Sequence, residues 1–416
     1  MKLLILSIDA MFSEDVDRLK AYPQLAPFLR RSVVARDMAP IYPALTYPCH
    51  VSIVSGNPPA EHGVYHNLEC QPGVKYQDWK WYYSDIACPT LFDAFRQRGY
   101  TTAAIFWPVS ANAPVDYLVP EIWSYTDDPV NIIKATSGGK VNDIIERHRE
   151  DVDFTSKFRL DRFAKDCALD IAREHDPDVM FLHLSLVDST RHGYGIRHQK
   201  VDEAFDQCVQ WLLELLDVVA KTSDMEELAL VILGDHGHLN CRGSLAMNRL
   251  FADKGWVSDP LPKSRNNCRA YTHAAGVSAQ VYVNDDSLRP QLEAMLDDLA
   301  KDGWLHSWRT KEEAAREGLE GPFDYVLEAG DGYFFVDALK PTFFTETFAK
   351  DGGAYIGKHG HHPSRGDKPP FLVSHPALQP RETRDHSILD IAPTLCELYQ
   401  LPPWPMAGKN LLEELG

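Results

Sequence analysis

Short apolar runs recur along the chain, each closed by a polar residue and separated from the next by segments with apolar positions at helical spacing. Residues 2–8 form one such run, ending at Asp9. Residues 101–107 form another, entered from a helical stretch at 91–98 that Gly99 closes. Residues 179–187 end at Asp188, and residues 228–233 end at Gly234 and Asp235. Between these last two, residues 201–220 carry apolar side chains at helical spacing. Strands alternating with helices predict a mostly parallel sheet with helices on both faces. Ligands of such sheets bind at the carboxyl ends of the strands, and three of these runs deliver an aspartate there.

From about 241 to 341 the pattern changes. Residues 277–283 and 332–336 are strand-like and 288–301 helical, which predicts a smaller α+β cap inserted in the core. Residues 1–240 and 342–416 would form the core itself. The chain returns to it through a Gly/His-rich loop at 352–366 and a helix from Ser387 to about Leu398. The 416 residues suffice for a large α/β domain with an insertion, or for two domains. Apolar residues make up 44% and charged residues 25%, an ordinary globular balance.

Charge narrows the class of partner. Sixty acidic against forty-two basic residues give a formal net charge of −18, which argues against a nucleic-acid polymer or an anionic membrane as the main partner. The N-terminal apolar stretch is too short for a signal peptide, and no window approaches the roughly 18 apolar residues of a membrane span. The eight cysteines, at 49, 70, 88, 167, 208, 241, 268 and 396, include no CxxC pair. They read as reduced thiols of a cytoplasmic protein.

Four features carry chemistry. Asp9 closes the first strand, where an aspartate caps a turn or binds a metal. Thr46 lies with Pro48 in the first turn of a helix that Gly56 ends; it is either an N-cap or a hydroxyl held where an anion is favoured. Asp188 and His192, if helical, share one face at i, i+4 spacing, as an exposed pair or as two ligands to one metal. Asp235 and His236 follow a buried strand, and the flanking Gly234 and Gly237 permit the irregular backbone that turns both side chains inward. A later loop, Gly357-Lys-His359-Gly-His361-His362-Pro363, supplies further imidazoles.

The order of these segments resembles the nucleotide pyrophosphatase/phosphodiesterase branch of the alkaline phosphatase superfamily. The resemblance covers most of the chain. It runs from the strand ending in Asp9 and the Thr46 segment through Glu61-His-Gly-Val-Tyr-His-Asn67 and Phe106-Trp-Pro-Val-Ser110. It continues through Asp188…His192, Asp235-His236-Gly237 and His359-Gly360 to the closing Asp390-Ile-Ala-Pro-Thr-Leu helix. It implies an alkaline-phosphatase-like fold and two divalent metal ions, zinc first with manganese as the alternative. Asp9, Asp235, His236 and the Thr46 hydroxyl would hold one ion, and Asp188, His192 and His359 the other. Thr46 would be phosphorylated in line and the intermediate then hydrolysed, with Asn67 donating a hydrogen bond to a non-bridging phosphoryl oxygen. Tyr47 falls where the family places an aromatic that stacks on a nucleobase; the alternative is a half-buried packing ring.

The chain departs from the family pattern at two places. Ala10 follows Asp9 where the family often has glycine. His361-His362-Pro363 stands where Tyr-Asp often follows the last His-Gly, making His361 a substitute ligand or substrate contact. Cys49, followed by His-Val-Ser, does not fit the sulfatase motif. The expected substrate is a small anionic phosphate ester, with diester or pyrophosphate hydrolysis as the first reading. Phosphonate or phosphomonoester hydrolysis on the same metals is the alternative, and an inert metal-binding interaction protein is the alternative of another class.

Overall fold

A computed structural model describes residues 2–124 and 128–413. Eight strands build its main sheet: β1 (Leu3–Ile8), β2 (Ser32–Ala35), β3 (Thr102–Ile105), β4 (Tyr117–Val119), β5 (Val179–Leu184), β6 (Ala229–Leu233), β7 (Phe371–Ser374) and β8 (Arg381–Thr383). Their order is β8-β2-β7-β6-β1-β5-β3-β4. The seven strands other than β7 pair with one another in parallel: β1 with β5 and β6, β3 with β5 and β4, and β8 with β2. β7 runs antiparallel to both of its neighbours, β2 and β6.

The alternation of side chains across each strand explains the two helical layers. Leu4, Leu6 and Ile8 of β1 bury against one face, together with Met180, Leu182 and Leu184 of β5. The helices Lys157–Glu174 and Gln199–Val219 cover that face with Phe163, Cys167, Ile171, Phe205 and Leu212. Leu3 and Ile5 point the other way, with Val179, Phe181 and Val231. There they meet the helices Thr46–Ser55, Leu91–Gln97 and Ile391–Tyr399. With both faces covered, the central strands read as continuous apolar runs.

Register decides where the chemistry goes. Ile8 pairs with Leu184, and Ser7 with Leu233. The carboxyl ends of β1, β5 and β6 are therefore level, and the residues that follow each strand emerge side by side.

A third apolar cluster lies within the segment expected to be a cap. It joins Cys241, Leu245, Phe251, Tyr271, Val281, Leu292, Leu327 and Phe335, and includes Tyr42 from the N-terminal part. Its antiparallel sheet has the order Leu305–Thr310, Tyr325–Ala329, Ser278–Val283 and Ala270–Ala275. The helix Arg289–Lys301 buries Leu292 and Leu296 in the cluster. A separate three-stranded sheet sets Gly243–Leu245 between Tyr333–Phe335 and Phe344–Glu346. All eight cysteines are unpaired. Among the described residues no helix is long and apolar enough to cross a membrane.

Candidate active site

Thr46 is the first residue of the helix Thr46–Ser55, whose N-cap is Leu45 and whose C-cap, Gly56, is left-handed at φ +70°. Thr46 is therefore not the cap. Its hydroxyl instead faces His236, with Oγ1 3.1 Å from Nε2. One turn on, His50 Nδ1 lies 2.8 Å from the Thr46 carbonyl oxygen, and Nε2 lies 2.8 Å from the Ser7 hydroxyl on β1. This ties the turn that carries Thr46 to the sheet. The backbone N–H of Tyr47 donates to Asn67 Oδ1 at 3.0 Å. That bond fixes the orientation of the Asn67 amide and leaves its NH2 group as the available donor.

Aspartates from three strand ends meet opposite this helix. Asp9 follows β1 and Asp235 follows β6, while Asp188 sits in the first turn of the helix Leu186–Tyr194 after β5. The carboxylate of Asp161 accepts from Leu186 N at 2.7 Å and from the Ser185 hydroxyl at 3.1 Å, capping that helix. Arg191, in the same helix, is held by Asp15 at 2.8 Å. The backbone N–H of Ala10 donates to Asp235 Oδ1 at 3.0 Å. Ala10 adopts φ +56° to do so. An L-residue bears about 1–2 kcal/mol for that conformation, so the family's glycine has a local reason.

Gly234 and Gly237 also admit close backbone neighbours. A Cβ on Gly234 would lie 2.3 Å from the Met11 carbonyl oxygen, and one on Gly237 would lie 1.6 Å from that of Asp367. Close backbone approach gives both glycines a local reason.

Two groups of ligand atoms converge. Asp188, His192, His238 and His359 form one, and Asp9, Asp188 and His236 the other, each with its atoms within 4.8 Å of one another. His238, His192 and His359 direct Nε2 at Asp188 Oδ1, at 2.8, 3.4 and 3.7 Å. His236 Nε2 stands 3.3 Å from Asp9 and 3.2 Å from Asp235. In three of these rings Nδ1 faces a backbone carbonyl: His192 that of Gly357 at 2.7 Å, His359 that of Ala44 at 3.2 Å, and His236 that of Gly237 at 3.3 Å. A proton on Nδ1 leaves Nε2 as a lone pair directed inward, the tautomer a metal ligand requires.

The electrostatics fit a bound cation. Burial, and the charges of Asp235 and Asp188, push the Asp9 carboxyl well above its usual range. Burial also lowers His192 to about 4 and holds His238 and His359 well below the usual imidazole range, against the opposing pull of Asp188. Burial opposes ionisation of Asp188, but His192, His238 and His359 around it pull its carboxyl well below the usual range. Asp9 Oδ1 and Asp235 Oδ2 are buried and accept no hydrogen bond among the described residues. Carboxylate oxygens in that state call for a cation, and an all-nitrogen-and-oxygen donor set suits divalent zinc or manganese.

Beside these groups lies a cavity of about 190 Å³. Asp9, Thr46, Asn67, Asp188, His192 and His359 line it together with Tyr47, Trp79, Glu121, Trp123 and Lys157. Tyr47 is 1% exposed, with its ring tilted against Trp79 at 5.2 Å; Trp79 stacks on Trp123 at 5.8 Å. Burial pushes Glu121 up to about 8, against the pull of Lys157, the Tyr47 hydroxyl and the Trp123 indole N–H.

Sequence reasoning named Asp9, Thr46, Tyr47, Asn67, Asp188, His192, Asp235, His236 and His359, and all nine come to this one region. It missed His238, although the Asp-His-Gly-His spacing was visible, and it missed Glu121, Trp123 and Lys157. His361 stands apart. It is fully buried, and neither ring nitrogen has a hydrogen-bond partner among the described residues. It belongs to neither convergent group. His362 packs edge-on against Tyr42 at 5.1 Å, and its backbone N–H donates to Glu328.

Comparison with solved structures gives the class first. Murine ectonucleotide pyrophosphatase/phosphodiesterase 5 superposes with a TM-score of 0.66 at 16% identity, covering 98% of both chains. An inactive variant of that murine protein in complex with AMP matches with the same score and identity, over 98% of this chain and 97% of the other. The fold is therefore alkaline-phosphatase-like. The model of the family described as type I phosphodiesterase / nucleotide pyrophosphatase matches residues 3–361, and the chain belongs to that family.

Among curated relatives, ectonucleotide pyrophosphatase/phosphodiesterase family member 7 of Homo sapiens is 25% identical over 249 residues, 57% of this chain and 47% of that protein. Bis(5'-adenosyl)-triphosphatase ENPP4 of Bos taurus is 22% identical over 427 residues, 98% of this chain and 80% of that protein. The chain spans about half the length of the family member 7 relative.

Proposed function

We propose that this protein is a metal-dependent hydrolase of phosphodiester or pyrophosphate bonds in nucleotide-type substrates, acting through a phosphothreonine at Thr46. The observation that carries the reading is the Thr46 hydroxyl, at a helix N-terminus and 3.1 Å from His236 Nε2, facing the Asp/His groups across one cavity. Asp9, Asp235 and His236 with the Thr46 hydroxyl would hold one divalent ion, and Asp188, His192 and His359, with His238 adjoining, the other. When bound, such ions supply Lewis-acid stabilisation of charge on the phosphoryl oxygens and on the threonine oxygen.

The chain's own residues divide the remaining work. The helix N-terminus favours the incoming anion. Thr46 Oγ1 forms the new bond to phosphorus as the bond to the leaving oxygen breaks, and water then attacks the phosphothreonine to free Thr46 again. Asn67, its Oδ1 occupied by the Tyr47 N–H, offers its NH2 group to a non-bridging oxygen whose charge grows in the transition state. Residues 241–341 act as a cap beside the core. The test is hydrolysis of bis-p-nitrophenyl phosphate against p-nitrophenyl phosphate by zinc-loaded enzyme. Preference for the diester is the expected result. Preference for the monoester would favour a phosphatase, and turnover of neither would leave a binding protein.

The aromatic side chains of the cavity wall would hold the nucleoside. Trp79 is the partly exposed ring, whereas Tyr47 is buried behind it. We assign base stacking to the pair, with Trp79 offering its surface and Tyr47 holding it in place. Trp79→Ala is expected to weaken turnover of a nucleotide nitrophenyl ester by about 1–3 kcal/mol of stacking energy, and to change bis-p-nitrophenyl phosphate turnover far less. Tyr47→Ala is expected to lower both activities and the melting temperature, because a buried ring is lost. A Tyr47→Ala variant that keeps its melting temperature and loses only the nucleotide activity would return the stacking role to Tyr47 alone.

A further inference from the structure

Lys157 opens the helix Lys157–Glu174 and lines the candidate cavity. Among the lining residues it is the only lysine or arginine. Its ammonium lies 3.1 Å from the centroid of the Trp123 ring. Glu121, Asp161, Asp188 and Asp9 act on it through space, but among the described residues none of them forms a hydrogen bond or ion pair with it, in a chain whose net charge is −18. Asp161, one turn along the same helix, spends its carboxylate on Leu186 N and the Ser185 hydroxyl instead. Trp123, 5% exposed and stacked on Trp79, holds the ammonium from one side by a cation–π contact. A cation fixed in this way in the wall of the same cavity, with no carboxylate paired to it directly, suits an anion brought by the ligand.

We propose that Lys157 binds a second anionic group of the substrate, the phosphate across the scissile bond, and thereby selects pyrophosphate-linked substrates over simple diesters. This rests on the hydrolase reading above. Thr46, Asn67 and the Asp/His groups take the reacting phosphoryl. Lys157 then offers one positive charge to the phosphate on the leaving side. A simple diester has no charge there to meet Lys157, whereas a pyrophosphate carries one on its second phosphorus.

The test measures kcat and KM of the full chain, zinc-loaded, on the p-nitrophenyl ester of thymidine monophosphate and on diadenosine diphosphate. Wild type is compared with Lys157→Met, Lys157→Gln and Lys157→Arg. The neutral variants are expected to lose roughly tenfold or more in kcat/KM on diadenosine diphosphate, mostly through KM, and to stay within about twofold on the nitrophenyl ester. Lys157→Arg is expected to restore most of the loss. Equal losses on both substrates would overturn the proposal, since Lys157 would then serve the reacting phosphoryl or the fold. An unchanged kcat/KM on diadenosine diphosphate would overturn it as well. Wild-type enzyme that cleaves the nitrophenyl ester but not the pyrophosphate defeats this proposal alone. Wild-type enzyme that cleaves neither defeats the hydrolase reading, and this inference with it. Should one neutral variant fail to fold, judged by its melting temperature, the other and the arginine variant carry the comparison.

Discussion

Thr46→Ala is expected to lower kcat by about a thousandfold or more, while leaving the melting temperature close to that of the wild type. A loss of that size corresponds to about 4 kcal/mol of transition-state stabilisation. A threonine hydroxyl is a poor nucleophile at neutral pH and needs its surroundings to activate it. Thr46 alone among the helix hydroxyls has those surroundings. It stands at the N-terminal end, with His236 Nε2 3.1 Å away, whereas Ser52 bonds His62 at 3.0 Å deeper in the helix. Removing Oγ1 removes the covalent route and leaves only direct attack by water. Thr46→Ser keeps the oxygen and is expected to retain part of the activity. Cys49→Ala is expected to leave kcat almost unchanged. Cys49 is fully buried, and burial together with the Asp235 charge holds its thiol well above the usual range. Acid quenching during turnover of a slow substrate is expected to leave phosphate on the peptide that contains Thr46. Near-normal turnover by Thr46→Ala would overturn the mechanism.

The middle of the main sheet was legible because its strands β1, β5 and β6 are buried on both faces. β1, β5 and β6 stand out as apolar runs ending in polar residues, and the Asp residues after them announce the site. β7 was not legible: its four residues, three of them apolar, are all buried like those of a parallel strand, and only tertiary pairing sets its direction. The strands Ala270–Ala275, Leu305–Thr310 and Tyr325–Ala329 also escaped notice, since short antiparallel strands interleaved with polar residues give no long apolar run. The helix Lys157–Glu174 could have been read. Its buried positions 160, 163, 164, 167, 168 and 171 keep helical spacing, and Ser156 caps it by accepting from Arg159 N. Missing that helix hid Lys157. The clustering of Glu121 and Trp123 with Lys157 was beyond any local signal, because it depends on how a loop after β4 meets a helix some thirty residues later. His50 and His183, which sit behind Asp9 and Asp235, have no motif of their own. They are found only once Ser7 and the strand register bring them together.

Removal of divalent ions is expected to abolish turnover and to lower the melting temperature, and zinc is expected to restore both. The donor groups predict the stoichiometry as well as the dependence. Asp188 belongs to both convergent groups, so Asp188→Ala is expected to leave at most one bound ion where the wild type carries up to two. His192→Ala removes a donor from one group only and is expected to release that ion while the second remains. The stability effect follows from linkage. Ions that bind the folded chain stabilise it by about 4 kcal/mol when free metal exceeds the dissociation constant a thousandfold. The apo site adds its own penalty, since Asp9 and Asp235 repel one another in burial. Replacing either aspartate with asparagine is therefore expected to cost the chelated protein less stability than it costs the zinc-loaded one. Metal content by mass spectrometry and thermal melts with and without chelator measure this independently of activity. A His192→Ala variant that keeps two ions and full activity would remove His192 from the ligand set. A wild-type melt that chelator leaves unmoved would mean that these seven or eight side chains hold no ion in the folded state.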